Sequence, residues 1–405
     1  MKNIKNIKNI EINPLSVLNF ATFLQYQRFV MPISFLFYIY NGLNFSDFIL
    51  CQSIYSVTCL LGKFFMGFVG DIFSKKYVLI AAYLLFMIRV VLWINFSGFW
   101  IVLSGEILYG LFKSLYRGNV DSYIYEYLEQ KKSGSEMIDK YGKWAFYTSL
   151  GSAVSCIAGV ILYKFYGFHT ILYIELITQV LAISCLLLLP NTKAKNGKKF
   201  EPLTYVKNII NGAKSVFTNA KVNYNVYYSA MLTGFTSIFV WNFQPLLKLS
   251  SAPVILYGII NFINQIFRAI GGLIAKNFAS KFKKYLIAIE YFSVLLSFIL
   301  LISGYYIKNY IFIFCALFII CIAIILFIIF NVFNISNLHK NTESSGRATS
   351  ASVNTFAGDL ASFLLLLNFK FIYDKLGIYN TLTIFMVFAC IILFPAFGKR
   401  FQNNN

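Results

Sequence analysis

Charge is scarce in this chain: 12% of its 405 residues are charged, against roughly 25% in an ordinary soluble domain. Hydrophobic residues make up 59%, and the mean hydropathy is +0.69. A soluble fold of this size cannot cover its surface on so little charge, so the solvent is lipid. Acids are scarcer still, with 15 against 35 basic residues and a formal charge of +20. The basic residues lie between apolar runs rather than in one patch, which argues against nucleic acid as a partner. Histidine occurs twice, at His169 and His339, both near the ends of apolar runs. Membrane zinc enzymes and histidine-dependent acyltransferases lose their usual catalytic groups on that count. Cysteine occurs seven times, without a C-x-x-C pair, inside or at the start of apolar stretches. These read as small buried hydrophobes with no disulfide or metal role. A phosphate-binding P-loop is missing, which rules out a built-in ATP motor, and no cofactor is implied.

What is present in abundance is apolar sequence. A hydrocarbon core needs about 20 apolar residues per helix, and twelve runs of that kind occur. They are 15–40, 46–70, 77–95, 99–125, 141–163, 167–189, 223–247, 252–280, 285–304, 310–338, 348–373 and 378–397. The expected fold is an all-α membrane protein with twelve transmembrane helices. Lys-Asn-Ile repeats three times over residues 2–10 with no small-residue cleavage site after it, so residues 1–14 read as a solvated tail rather than a cleaved signal.

Basic residues in short loops set orientation. Lys75, Lys76, Lys131, Lys132, Lys140, Lys281, Lys283, Lys284, Lys340, Arg347, Lys399 and Arg400 share one side with the basic tail; the other holds little beyond Lys164, Lys248, Lys308 and Lys375. The basic side is expected to be cytoplasmic, with both termini there and the protein in the inner (plasma) membrane. The one long polar connection, 190–222, divides a six-span bundle at 15–189 from a second at 223–397, before a short tail at 398–405. Within it, 202–220 has helical spacing and suits either an interfacial helix on anionic lipid or an ordinary linker helix.

The halves repeat each other. Gly67-Phe68-Val69-Gly70-Asp71-Ile72-Phe73-Ser74-Lys75-Lys76 joins spans two and three, and Gly272 to Lys281 joins spans eight and nine at an offset of 205 residues. The same offset pairs Lys63 with Arg268. Here the chain resembles the major facilitator superfamily, whose loop between spans two and three carries G-x-x-x-D-[RK]-x-G-[RK]-[RK]. Gly67, Asp71, Lys75 and Lys76 match, while Ile72 and Ser74 depart and Lys276 replaces the acid in the second copy. The resemblance implies two pseudo-symmetric six-helix bundles and a gating role for this loop. A carboxylate at Asp71 suits a helix N-terminus and a cation on span four. The alternative is a plain basic turn.

Ionisable residues within a span usually face a cavity. On span four, Glu106, Gly110, Lys113, Arg117 and Asp121 are spaced so that they fall within about 80° of arc. This stripe reads as a solute and proton path at Glu106 and Lys113, and as gating at Arg117 and Asp121; the alternative is structural ion pairing. Arg89 and Glu106 sit at matching depth and are placed to pair. Span one puts Gln25, Arg28 and Pro32 on one face, with a bend at the proline. Lys63, Asn261, Gln265, Arg268 and Asp359 complete the candidate solute or coupling set, with Asp359 as the only acid placed deep in the second half. Trp241 beside Asn242 is a candidate stacking site. For these amides, helix–helix hydrogen bonding is an equal alternative. Trp93, Trp100 and Trp144 near span ends read as interfacial anchors.

The functional expectation is a secondary active transporter working by alternating access, not an enzyme. Deep cations outnumber deep acids, which favours an anionic or zwitterionic small molecule. The direction is open between proton-coupled efflux and uptake of an anionic metabolite. Membrane lipid is the expected surrounding, a proton the candidate co-substrate, and a monomer the expected state. A non-transporting polytopic enzyme or scaffold is the rival of another class.

Overall fold

The computed structural model describes residues 13–131, 137–191, 220–282, 285–340 and 347–402. Within these, the side chains of 64–68, 70–72, 137–139, 220–222, 272, 273, 275–277, 279, 280, 332–340, 347–352 and 395–402 are not described. The basic tail and the amphipathic stretch of the linker therefore lie outside the described residues.

Span one consists of Pro14–Gln25, a short 3-10 turn Met31–Ile33 and Ser34–Tyr40. Span two is Phe45–Ile72, span three Lys75–Asn95 and span four Phe99–Gln130. Spans five and six form one run, Met137–Leu187, broken at Gly167. Spans seven to ten are Ala220–Leu249, Ile255–Phe282, Leu286–Ile307 and Tyr310–Lys340, and spans eleven and twelve form the run Arg347–Gln402, broken at Gly377. Gly167 and Gly377 have φ of 72° and 74°, a conformation that costs glycine little and a side chain much. Each half thus reverses direction between its fifth and sixth spans on one glycine, which is the internal repeat seen in the backbone.

Among the described residues, six stretches are long and apolar enough to cross a bilayer unaided, and two of these, of 48 and 42 residues, each hold two spans. Span one falls short because its helix is broken into short pieces, span eight because its apolar run Ile255–Gly271 is short, and spans four and seven because of their polar residues. Span ends are fixed locally. Asn13 accepts the amide of Leu15 ahead of Pro14, and Asn44 with Asp47 forms a reciprocal capping box at span two. The ends near residues 14, 72, 130, 187, 220 and 282 share the basic side; those near 40, 95, 167, 249, 307 and 377 share the opposite side.

Span one departs from the continuous helix expected over 15–40. The chain leaves the helix after Gln25, runs unwound through Arg28 and resumes at Met31. Pro32 does not bend a helix here. It sits in the first turn of the resumed segment, where its missing N–H costs nothing, and the break falls ahead of it. Unwound backbone at membrane depth needs partners from protein or a wet cavity. The amide of Val30 donates to the Glu175 carboxylate of span six at 3.3 Å, and Glu175 is 1% exposed. A β-carbon on Gly159 of span five would meet the backbone of Phe29 at 2.9 Å from its Cα, so only glycine allows this approach.

The halves meet along two seams, span two against span eleven and span five against span eight. On the opposite side Phe45 packs edge-on to Tyr373 at 4.7 Å and Phe48 to Trp241 at 5.8 Å. Gly258 of span eight lies against Cys156 and Val160 of span five. Gln244 of span seven takes the amide of Phe35 at 2.8 Å and the Ser34 hydroxyl at 3.3 Å, and donates to the Met31 carbonyl at 3.0 Å. Asn261 reaches the Pro32 carbonyl at 3.4 Å. The halves are therefore tightly closed on the opposite side, while Arg117 and Arg268, nearer the basic side, are exposed.

Three expectations change with these coordinates. Trp93 and Trp144 are not interfacial anchors: Trp93 is buried on the Arg89 guanidinium at 3.8 Å, and Trp144 is buried with its indole donating to the Tyr116 hydroxyl at 3.3 Å. Trp100 alone of the three is exposed, at 76%. Four cysteines are buried, but Cys315 is exposed on span ten, and all seven are free thiols. Asp359 is not the only buried acid of the second half, because Glu290 on span nine is 1% exposed with its Oε2 unpartnered.

Candidate functional site

The unwinding of span one delivers Arg28 into the centre of the first half. Its Nε donates to the Gln25 carbonyl at 3.4 Å, its Nη2 to Gln25 Oε1 at 2.7 Å, and its Nη1 to the Tyr109 hydroxyl at 2.5 Å. The guanidinium lies 4.2 Å from the Tyr26 ring centre and 5.2 to 5.3 Å from those of Tyr109, Phe86 and Phe112. Ring faces stabilise a desolvated cation, yet none supplies a negative charge. Gln25 is fully buried, and its Nε2 donor has no partner.

Three acids near this site are engaged. Arg89 Nη2 donates to Glu106 Oε1 at 3.1 Å with both side chains under 10% exposed, as their matched depth predicts. This turns Glu106 away from the path that the span-four stripe suggests. Asp359 of span eleven pairs with Lys63 of span two across the seam. Glu175 is committed to the Val30 amide.

What is left is cationic. Lys113, one turn from Tyr109, lies 5.6 Å from the Tyr26 ring centre and 5.7 Å from that of Tyr109, so it shares both rings with Arg28. Arg28 and Arg117 are the like charges acting on it. Arg268 of span eight is exposed, and Arg117 and Tyr26 of the first half act on it electrostatically. Asp121, acted on by Arg117, is a described acid near the basic end of this row, and its Oδ1 has no partner. Exposure rises from Arg28 at 7% through half-buried Lys113 to exposed Arg117 and Arg268. The site is a funnel of cations widening toward the basic side.

Other candidates fall elsewhere. Asn242 is fully buried within the second half, donating to Ile238 and accepting from the Tyr305 hydroxyl at 3.0 Å, which is the helix–helix alternative. Trp241 is half-buried at the closed seam against Phe48. Asn261 bridges to span one, and Gln265 is half-buried. In the loop between spans two and three, Lys75 lies 4.0 Å from Glu126 of span four and Lys76 donates to the Leu187 carbonyl at 2.7 Å, the end of span six. The side chains of Gly67 and Asp71 lie outside the described residues.

The sequence profile of the Major Facilitator Superfamily matches residues 18–366. The chain belongs to that superfamily. It is accordingly a membrane transporter and not an enzyme. A crystal structure of the nucleoside transporter NupG is 16% identical over 96% of this chain and all of its own, with a TM-score of 0.77. A POT family transporter solved in complex with 5-aminolevulinic acid is 13% identical over 95% of each chain, with a TM-score of 0.76. Among curated proteins no sequence match is found. At these identities the solved structures establish the superfamily's twelve-helix, two-bundle fold and leave the solute to be argued from this chain's own residues.

Two groups essential to the site went unread in the sequence. Tyr26 and Tyr109 form the floor under Arg28 and Lys113, and aromatic residues are too common here, with 28 Tyr, to stand out. Tyr109 carried one usable signal, since it lies four residues before Lys113 and shares its helical face.

Proposed function

We propose that this superfamily transporter moves a small anionic or zwitterionic solute by alternating access, with the solute held between Arg28 and Lys113 of the first half and Arg268 of the second. The observation that carries this reading is the imbalance of charge in the funnel. Among the described residues, Arg28, Lys113 and Arg268 form no ion pair, while Glu106 and Asp359 are paired with other cations and Glu175 is buried on the Val30 amide. A cavity of one sign concentrates solutes of the other. Closed packing on the opposite side, together with exposed cations on the basic side, supports a state open toward the basic side. On the loop-charge argument that side is the cytoplasm of a plasma-membrane protein with both chain ends inside.

Among titratable groups, Asp359 suits proton coupling better than Glu106. It is 25% exposed at a seam between moving halves, whereas Glu106 is held dry against Arg89. The test is thermal stabilisation of the purified full chain by anionic, zwitterionic, neutral and cationic solutes, since a ligand that binds the folded state raises its apparent stability. Arg28→Gln and Arg268→Gln should each weaken an anionic ligand by about 1 to 3 kcal/mol, roughly one charge-assisted hydrogen bond. Stabilisation confined to cations overturns the proposal.

A further inference from the structure

We infer that the solute carries a compact group of charge near −2, of the phosphate monoester class, rather than a zwitterionic or singly charged group. This rests on the anionic reading of the same funnel. Two observations separate the classes, the first being the supply of acceptors. A zwitterion brings an ammonium that needs an acceptor of its own, and among the described carboxylates near Arg28, Glu106 is paired with Arg89, Asp359 is paired with Lys63, and Glu175, which keeps its charge while accepting the Val30 amide, is 1% exposed and out of a solute's reach. Asp121 is the exception, but it lies two helical turns beyond Lys113 on span four, beside Arg117.

The second observation is the crowding of donors. Arg28 and Lys113 lie over the same two rings, Tyr26 and Tyr109, with Arg117 one turn further along span four and acting electrostatically on both Lys113 and Arg268 of the second half. The buried Nε2 of Gln25 adds a donor with no acceptor. A charged ammonium half-buried beside guanidiniums is unfavourable until an anion joins it. One carboxylate neutralises one of these cations and has two acceptor oxygens. A phosphate monoester carries about −1.5 to −2 at neutral pH and presents three strong acceptor oxygens from one centre. That matches clustered cations; two carboxylates held apart on a long chain do not.

The test uses the purified full chain in detergent and follows thermal unfolding. Probes are inorganic phosphate and a panel of small phosphate monoesters, each run beside its parent alcohol and the matching monocarboxylate, with serine beside phosphoserine for the zwitterion. Phosphorylated members should stabilise at least tenfold lower concentration than their monocarboxylate partners at pH 7.5. The preference should shrink at pH 5.5, because the second phosphate ionisation lies near pH 6. Lys113→Gln should remove most of the difference between phosphate and carboxylate while still responding to carboxylates; Arg117→Gln, at an exposed position, provides a second variant should the first unfold. If monocarboxylates or serine stabilise as well as their phosphorylated counterparts, the inference fails and the anionic or zwitterionic reading survives. If neither phosphate nor any anion acts and only neutral or cationic solutes do, both fall. If phosphate and every monoester are inert, the inference is likewise overturned.

Discussion

Lys63 of span two and Asp359 of span eleven join the two halves through an ion pair that crosses the seam. The partners are 296 residues apart in sequence and part-exposed, 37% and 25%, so water screens them. Their worth lies in which state they favour. A pair that exists only while this seam is closed biases the equilibrium between the transporter's two open states by its own free energy. Neutralising either partner is expected to slow transport about threefold, equivalent to about 0.7 kcal/mol of bias. The exchange Lys63→Asp with Asp359→Lys should recover most of that loss. Rates in proteoliposomes decide it: a swap no better than the singles would make each residue act alone. Asp359→Asn should also lose acceleration by a pH gradient while retaining solute exchange if this acid carries the proton.

That pair marks where sequence reading ran out. Arg89 and Glu106 were legible because they flank one short turn, and counting 1.5 Å per residue places them level. Lys63 and Asp359 sit in different halves, and no local count fixes which helices share a seam. The break in span one was half legible. Pro32 announces a disturbance, but its position depends on Glu175 and Gly159, more than a hundred residues later, which receive the freed backbone. The twelve spans and the repeat were legible because lipid imposes length and polarity on every helix. The tryptophans misled, since an amphipathic ring near a span end serves equally as an anchor or as a lid on a buried guanidinium.

The Arg89–Glu106 pair is expected to behave as a buried structural unit. Glu106→Gln takes its only described ion-pair partner from a guanidinium under 10% exposed, leaving Glu175 as the one described acid still acting on it, and costs about 3 to 5 kcal/mol in comparable cases. Removing both charges together should cost less than the sum of the singles, giving a coupling energy of about 1 to 3 kcal/mol. Unfolding of all four proteins in detergent measures the cycle. Additive losses would show that the two groups do not depend on each other and would return Glu106 to the list of proton carriers.

Gln244 holds the opposite side shut through three hydrogen bonds to Met31, Ser34 and Phe35 of span one. Gln244→Ala should shift the protein toward the state open on that side, with little loss of folding because these groups are then wetted. A cysteine introduced at Trp241, in a background lacking the native thiols, reports this as faster labelling by a water-soluble reagent. Equal labelling rates with and without Gln244 would assign closure to other contacts on that side, such as Phe45–Tyr373, instead.

Orientation has its own test. Single cysteines replacing Lys131 and Lys308 in intact cells should respond oppositely to an impermeant thiol reagent, with Lys308→Cys labelled and Lys131→Cys protected. The reverse pattern would turn the molecule over and place the funnel's mouth outside the cell.

Gly159 provides the sharpest link between packing and the site. A β-carbon there meets the Phe29 backbone rather than the tip of a flexible side chain, so span one must move to accept even alanine. The unwound segment that moves is the one carrying Arg28. Gly159→Ala is therefore expected to cost about 1 to 3 kcal/mol, the range for overpacking, and to weaken anion binding in whatever fraction folds. Gly142 lies in the same helical run with nothing within 4 Å of a β-carbon. Gly142→Ala should be neutral or stabilise by up to about 1 kcal/mol, because it only reduces the freedom of the unfolded chain. Melting temperature and anion-induced stabilisation, measured on both variants, separate the two effects. A Gly159→Ala protein that melts and binds like the parent would mean that span one tolerates displacement, and the position of Arg28 would then owe nothing to this contact.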